Sequence, residues 1–433
     1  MTPKSKQWLL FLLGLGAVTE IHVIGSIGIS ELFCYAFAPF VFWAHRPLFA
    51  RLHMGMFFGL LALWGAFAVT SDWLNGIYPI VERWKTWAPI YSLFAVSVCA
   101  SVLLADDIWR FRWFLVGAFI SAVIASFVFT PAAVAEMASS NSTGASMNTA
   151  FGYKAWYYGT LGAMIWLPVQ LWYLSFPTWV SLSLAGGGAV LQLFLGGRAS
   201  FLIGGMSLIL LWFGRSVRSV VYHRPRRFSF LGLSIAVLCM GLLVKGVYKT
   251  AVTSGWMGDE EQQKYEAQSK MGTSALALLM SGRGETFCGI FAALDKPFIG
   301  HGSKAWDTRG YYTEYVEKYG DDQDVRTLQA LSLRGMWPIP GHSHIVAAWL
   351  WHGVGGLIFW MYVLWLLYKT VSEWMWYAPP IVGWLALVLP GLLWNIAFSP
   401  LSGRTTLAVM FTCVLLVRDI AKNTKKRDAF TCR

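Results

Sequence analysis

The sequence predicts an all-α membrane protein that crosses the bilayer about 12 times and carries one large loop on its outer side. Of its 433 residues, 56% are hydrophobic and only 13% are charged, a balance far from that of soluble domains. Long apolar runs alternate with short polar segments along the chain. A hydrocarbon core about 30 Å thick requires about 20 apolar residues per helix, and most of these runs approach that length.

Twelve apolar runs are candidate spans. Their approximate limits are 8 to 22, 24 to 44, 54 to 71, 87 to 104, 111 to 130, 155 to 175, 178 to 196, 199 to 214, 229 to 248, 344 to 367, 378 to 396 and 402 to 417. Glu20 and His22 interrupt the first pair, where one longer span is an alternative. Merging the pair would invert the orientation that the loop charges favour, so two spans are preferred. Glu31 falls within the second span, and we expect its carboxylate to be buried and hydrogen-bonded.

The distribution of basic residues predicts that both termini face the cytoplasm. More than half of the 34 Lys and Arg fall on one side of this arrangement, including GRSVRSVVYHRPRRF and the tail RDIAKNTKKRDAFTCR. The net charge of +12 is therefore explained by membrane orientation, and no nucleic-acid-binding motif accompanies it. The start MTPKSKQWLLFLLGLGAVTE lacks a convincing small-x-small cleavage site, so we expect an uncleaved first span.

The chain divides into four regions: 1–248 with spans one to nine, 249–343 as a large outer loop, 344–417 with spans ten to twelve, and a basic cytoplasmic tail, 418–433. The outer loop contains the helix-compatible pieces SALALLM and ETFCGIFAAL, bounded by Gly and Pro. A loop this long is usually functional or disordered, and we expect short helices that fold against the membrane surface. The six cysteines lack metal-ligand spacing, so the sequence predicts neither a metal site nor a cofactor.

Ionisable residues at the ends of spans are the candidates for chemistry, because a charge near the bilayer is costly unless it is solvated, paired or used. Arg198 lies in GGRAS between spans seven and eight, and Arg283 lies in the outer loop. His342 and His344 stand at the entry to span ten, in PGHSHIVAAW. Two spans separate Arg198 from Arg283 and none separates Arg283 from His342, so all of these residues are predicted on the same outer side.

These groups together fit one chemistry. Two guanidinium groups can bind a diphosphate, and an imidazole beside it can accept a proton from an attacking hydroxyl. Taken singly, each residue has an ordinary explanation. An Arg beside an apolar run can anchor the helix at the lipid headgroups, and Arg283 can pair with Glu285 or Glu261.

The segment HSHIVAAWLWHGVGG resembles a pattern of the O-antigen ligase and O-antigen polymerase family. That pattern is His, then Asn, Ser or Gln, nine residues, Gly, two residues, and Gly, Thr or Val. The matching positions are His342, Ser343, Gly353 and Gly356. Upstream, GGRAS and GRGETFCGIFAALDKPFIGHG resemble the two arginine elements of the family, although Phe287 stands where an aromatic Trp is frequent.

This resemblance implies a fold similar to the membrane glycosyltransferases of the C type and a metal-independent, inverting transfer. The donor would be a glycan on undecaprenyl diphosphate, and the acceptor a hydroxyl on a lipid A core or on a second lipid-linked unit. By motif position, His342 would be the base and Arg198 and Arg283 the diphosphate ligands. His344, Arg404 and Lys304 are possible additional site residues. The implied location is the bacterial inner membrane, with the active site on the periplasmic face.

Three functions stay open at this point. A ligase and a polymerase share the donor, the arginines and the base, and they differ in the acceptor; one long outer loop favours the ligase weakly. A lipid-glycan flippase would need ionisable residues along a path through the membrane. The function of a non-catalytic assembly subunit would not explain the pattern of His and Arg residues.

Overall fold

The computed structural model describes residues 1–17, 20–22, 26–77, 80–128, 177–194, 198–220, 246, 249–256, 262, 265–266, 284–319, 338–374, 382–399 and 401. Helices dominate this part of the chain, and one short antiparallel hairpin pairs Glu20–His22 (β1) with Ser26–Gly28 (β2). Predicted spans six and twelve, the loop segment 131–153 and the cytoplasmic tail lie outside the described residues, and so does span nine apart from residue 246.

The first two predicted spans are separate helices, as the loop charges favoured. Helix α1 (Pro3–Leu15) begins with the Thr2 hydroxyl accepting from the Ser5 backbone N–H at 3.2 Å. After the hairpin, α2 (Ile29–Ala44) begins where the Glu31 carboxylate accepts from the Gly28 N–H at 3.0 Å. Glu31 is buried and hydrogen-bonded, as expected, but it stands in the first turn of the helix.

In the first half of the chain, the described residues include seven further helical segments. They are α3 (Arg46–Arg51), α4 (Gly55–Leu74), α5 (Ile80–Leu104), a 3₁₀ turn (Ile108–Arg110), α6 (Phe111–Val128), α7 (Thr178–Phe194) and α8 (Arg198–Val220). Helices α1 and α6 touch through their backbones, because a Cβ at Gly14 would lie 2.1 Å from the Phe114 carbonyl oxygen, and one at Gly117 would lie 2.2 Å from that of Phe11. Small residues permit this close packing of apolar helices.

In the second half of the chain, the described residues include five further helices. They are α9 (Gly284–Asp295), α10 (Tyr311–Tyr319), α11 (His344–His352), α12 (Val354–Trp374) and α13 (Val382–Phe398). Helix α9 contains the ETFCGIFAAL segment that the sequence predicted to be helical.

The segment 344–367 is not the single span that its hydropathy predicted. It breaks at Gly353 into α11 and α12, which fold back on each other as a hairpin. The rings of His344 and Trp360 lie 5.1 Å apart, and a Cβ at Gly356 would lie 2.4 Å from the Ala348 oxygen. Helix α11 has only nine residues and is too short to cross a bilayer.

Three helices of the described part are long and apolar enough to cross a membrane, namely Gly55–Leu74, Arg83–Leu104 and Val354–Val371. Helices α2, α7, α8 and α13 contribute shorter apolar segments. On α2, the outward-facing side chains Phe33, Phe37 and Phe40 are each more than half exposed. A contiguous apolar surface of this kind fits a lipid environment, and the chain is a helical membrane-associated protein.

Candidate functional site

Ser343 fixes the point at which α11 begins. Its Oγ accepts from the Val346 backbone N–H at 3.2 Å and donates to the Ile396 carbonyl at 2.7 Å. This is an N-cap, in which a short hydroxyl side chain satisfies a free N–H of the first helical turn. Because Ser343 is fully buried, the cap also ties α11 to the end of α13. His342 therefore lies immediately outside the helix, and His344 is its first residue.

His342 is half exposed and lies against the first turn of α9. Its Nδ1 contacts the carboxylate of Glu285, and the two side chains are 41% and 37% exposed. The hydroxyl of Thr286 donates to the His342 carbonyl at 2.9 Å. Adjacent residues of α9 thus hold both the side chain and the backbone of His342, and protein atoms cover the imidazole only in part.

His344 has a different environment. Only 1% of it is exposed, its Nδ1 lies 2.8 Å from the Ser399 carbonyl, and its ring meets the edge of Trp360. The two histidines of the HSH segment therefore separate into an accessible and a buried side chain. Of the two side chains, His342 is the more accessible to a ligand.

Glycines allow the close contacts that shape the hairpin. Gly353 has φ +66°, and a Cβ there would lie 2.0 Å from the Phe298 carbonyl oxygen. Only glycine adopts this conformation without strain, and no side chain fits the space. Gly353 and Gly356, the two glycines of the sequence pattern, thus make the turn and the contact with Ala348 that fold α11 onto α12.

The segment after α9 closes the C-terminal end of α11. The backbone N–H groups of His301 and Gly302 donate to the carbonyls of Leu350 and Trp351 at 2.7 and 3.0 Å. Carbonyls in the last turn of a helix lack partners within that helix, so these bonds stabilise a helix that is too short to be stable alone. The Ser71 hydroxyl of α4 also donates to the Trp351 carbonyl at 2.7 Å.

Helix α4 anchors the same segment through a buried carboxylate. Asp72, 1% exposed, accepts from the Ser303 backbone N–H at 2.6 Å and from the Ser303 hydroxyl at 2.8 Å. The Asn75 side chain donates to the Gly300 carbonyl at 3.1 Å. The buried carboxyl group and its hydrogen bonds hold the segment in one position relative to α4. The site at His342 thus rests on a framework formed by α4, α9, α11 and α12.

The predicted arginines are placed only in part. Arg198 is the first residue of α8, as the sequence predicted, and its side chain lies outside the described residues. Arg283 and Arg404 also lie outside them. Gly284, the residue after Arg283, begins α9 and is buried against the ring of Tyr315.

Helix α8 is linked to the site through α13. Helices α8 and α13 pack together, and a Cβ at Gly391 would lie 3.9 Å from the Ile203 side chain across the contact. Helix α13 also contacts the start of α11, because the Ser343 hydroxyl donates to the Ile396 carbonyl in the last turn of α13. Helix α13 therefore lies between α8, which begins at Arg198, and α11, which follows His342.

Several other polar residues of the segment 284–319 form hydrogen bonds within the protein. The Asp307 carboxylate accepts from the Tyr311 and Tyr312 N–H groups at 2.8 and 2.7 Å and so caps α10. A hydrogen bond from the Tyr311 hydroxyl and the nearby Arg309 guanidinium hold the pKa of Asp295 below its usual value. Lys304 is half-buried with φ +52° beside Ser303, and Arg334 lies outside the described residues.

Sequence reasoning missed the relationship between Glu285 and His342. Glu285 was considered only as a partner for Arg283, because the two are near neighbours in the chain. The sequence does place Glu285 in the first turn of a predicted helix, where the helix dipole stabilises a carboxylate. Which loop approaches is a property of the tertiary fold.

Comparison with family models, curated proteins and solved structures finds no match to this chain.

Proposed function

We propose that the protein is a membrane glycosyltransferase that moves a glycan from undecaprenyl diphosphate to an acceptor hydroxyl. The observation that carries the proposal is the half-exposed imidazole of His342, held by its backbone and by the carboxylate of Glu285. A general base needs an accessible nitrogen in a fixed position, and the buried His344 does not offer one.

The proposed step is a displacement at the anomeric carbon. His342 takes the proton of the acceptor hydroxyl while the oxygen forms a bond to that carbon, with inversion. The bond from the anomeric carbon to the diphosphate oxygen breaks, and its electron pair stays on the diphosphate. Arg198 and Arg283 bind the negative charge that develops there, as guanidinium groups do with phosphate oxygens. Arg404 and Lys304 are candidates for further contacts with the phosphate or the sugar.

The proposed setting is the bacterial inner membrane, with about 12 spans and both termini in the cytoplasm. The site faces the periplasm, and apolar helices hold the polyprenyl chain of the donor. This topology is supported by the distribution of Lys and Arg along the sequence and by the apolar helices of the described part. The energy for transfer comes from the diphosphate-linked sugar, so neither a metal ion nor a nucleotide is required by the proposal.

The acceptor distinguishes a ligase from a polymerase. A single long outer loop favours the ligase, in which the acceptor is a lipid A core. The polymerase uses a second lipid-linked repeat unit instead, and it shares the donor and the proposed residues.

Reconstitution separates these functions. The purified protein in vesicles receives an undecaprenyl-diphosphate-linked glycan with either a lipid A core or a second lipid-linked unit. One product of core plus glycan identifies a ligase, and a ladder of lengths identifies a polymerase. Movement of the intact donor across the bilayer without transfer would identify a flippase and overturn the proposal.

A further inference from the structure

Glu285 lies where a residue that orients His342 would have to lie. We infer that Glu285 is a positioning residue that keeps hydrogen on Nδ1 of His342, so that Nε2 is the atom that accepts the proton of the acceptor. This inference rests on the proposed glycosyl transfer and assigns the base to one atom within it.

The assignment of the nitrogen follows from hydrogen-bonding chemistry. The ring atom that faces Glu285 is Nδ1. An ionised carboxylate has no hydrogen to donate, so the hydrogen between these groups belongs to the imidazole. A neutral imidazole with hydrogen on Nδ1 has its lone pair on Nε2, which points away from the carboxylate. Nε2 is therefore the ring nitrogen that can act as the base.

Other contacts hold Glu285 and His342 in place on their own elements. Helix α9 approaches the PGHSH segment closely, because a Cβ at Gly289 would lie 3.0 Å from the Pro340 oxygen and from the Val346 side chain. The Thr286 hydroxyl fixes the His342 carbonyl, and Ser343 fixes the next residue as the N-cap of α11. Glu285 and His342 thus stand on separately anchored elements. A contact of two flexible surface side chains would not need this support.

The carboxylate also has a role during the step. When Nε2 takes the proton from the acceptor hydroxyl, the imidazole becomes a cation. The negative charge of Glu285 stabilises that cation, and the proton leaves to solvent after the glycan has moved. Glu285 touches neither donor nor acceptor in this scheme and acts only through His342.

The test compares Glu285→Leu, which removes the carboxylate, with Glu285→Asp, which keeps it. Glu314→Leu is the matched control, because Glu314 is an exposed carboxylate of α10 in the same part of the chain. We expect Glu285→Leu to lower kcat by about 100-fold or more with the KM of the donor within about 3-fold, the pattern of a lost proton-transfer geometry. Glu285→Asp recovers kcat to within about 10-fold of the wild type, and the control is unchanged.

Two further measurements separate positioning from folding. In protein labelled with ¹⁵N-histidine, the His342 signals are those lost in His342→Ala, and they should report hydrogen on Nδ1 in the wild type and loss of that form in Glu285→Leu. The double variant Glu285→Leu/His342→Ala should be no slower than His342→Ala alone, since Glu285 acts through the ring.

A wild-type kcat in Glu285→Leu, together with an inactive His342→Ala, would overturn the inference and leave the glycosyltransferase proposal standing. A raised donor KM with unchanged kcat would also overturn it, because Glu285 would then bind substrate. Absence of transfer in the wild type with either acceptor would remove the proposed function. The ¹⁵N signals would still decide the tautomer, and hydrogen on Nε2 in the wild type would contradict the assignment.

Discussion

His344 packs its ring against the edge of Trp360, with centroids 5.1 Å apart, although the two residues belong to consecutive helices. This contact is possible only because the chain reverses at Gly353. The reversal turns α11 away from the path of a membrane span and sets its first turn beside α13. It leaves His342, one residue outside the N-cap, against α9 and only partly covered by protein atoms.

Gly353→Ala should destabilise the protein strongly. The new Cβ would lie 2.0 Å from the Phe298 oxygen at a backbone φ of +66°. Strain and overpacking together cost about 2 kcal/mol or more. Gly59→Ala is the control, since a Cβ at that helical position meets nothing within 4 Å. Thermal unfolding in detergent should show a clearly lower melting temperature for Gly353→Ala and the wild-type melting temperature for Gly59→Ala. Equal melting temperatures for the two variants would contradict the hairpin.

His344→Leu should affect stability more than chemistry. The buried ring bonds to the Ser399 carbonyl at 2.8 Å, and its removal leaves that carbonyl without this partner. A lost buried hydrogen bond costs about 1–3 kcal/mol. We expect a lower melting temperature with kcat reduced much less than in His342→Ala. Loss of kcat equal to that of His342→Ala at full stability would transfer the role of base to His344.

Cys288 should resist thiol reagents in the folded protein. Burial raises the pKa of its thiol to about 12, with a further contribution from the carboxylates of Asp307 and Glu285. The thiolate that reacts with maleimides is therefore scarce at neutral pH. Peptide mapping after labelling should find Cys288 unmodified in the native protein and modified after unfolding, with Cys288→Ser identifying the peptide. Rapid native labelling would show that α9 does not pack as described.

Protonation of His301 should weaken the fold. Burial lowers its pKa below the ordinary value of 6.5, and its Nε2 lies 2.7 Å from the Ala292 carbonyl, to which it donates. The unfolded chain therefore binds the proton first as the pH falls. The free energy of unfolding should be highest above the ordinary pKa and decline as the pH falls through the folded-state pKa.

The variant His301→Gln isolates this contribution. Its amide can still donate to the Ala292 carbonyl but does not titrate. Melting temperatures between about pH 7 and 5 should fall less in the variant than in the wild type. Parallel curves for the two proteins would assign the pH dependence to other groups.

The sequence predicted the features that follow from local hydropathy and helix signals. Most helices of the described part, the separation of α1 from α2, and the start of α8 at Arg198 agree with the apolar runs and their flanking residues. Hydropathy failed at 344–367, because a reversal within an apolar segment leaves its composition unchanged. The chain reverses at Gly353, and its positive φ is a property of the folded chain that the sequence does not specify.

Local patterns in the sequence also selected the residues of the candidate site, and the chemical role of these residues stays a prediction. His342 was identified by its spacing from Gly353 and Gly356, and the fold gives those glycines a physical purpose. The contact with Glu285 and the anchoring of Ser303 by Asp72 join residues far apart in the sequence, so no local pattern could reveal them. The convergence of Arg198 and Arg283 on His342 stays a prediction.

The most direct test of the account is the rate of glycan transfer by purified His342→Ala in vesicles that contain an undecaprenyl-diphosphate-linked donor and a lipid A core. Loss of a general base lowers such rates by about 100-fold to 10,000-fold. We predict a loss in this range with the melting temperature of the wild type retained. Transfer at the wild-type rate by the folded variant would contradict the assignment of His342 as the base and the function built on it.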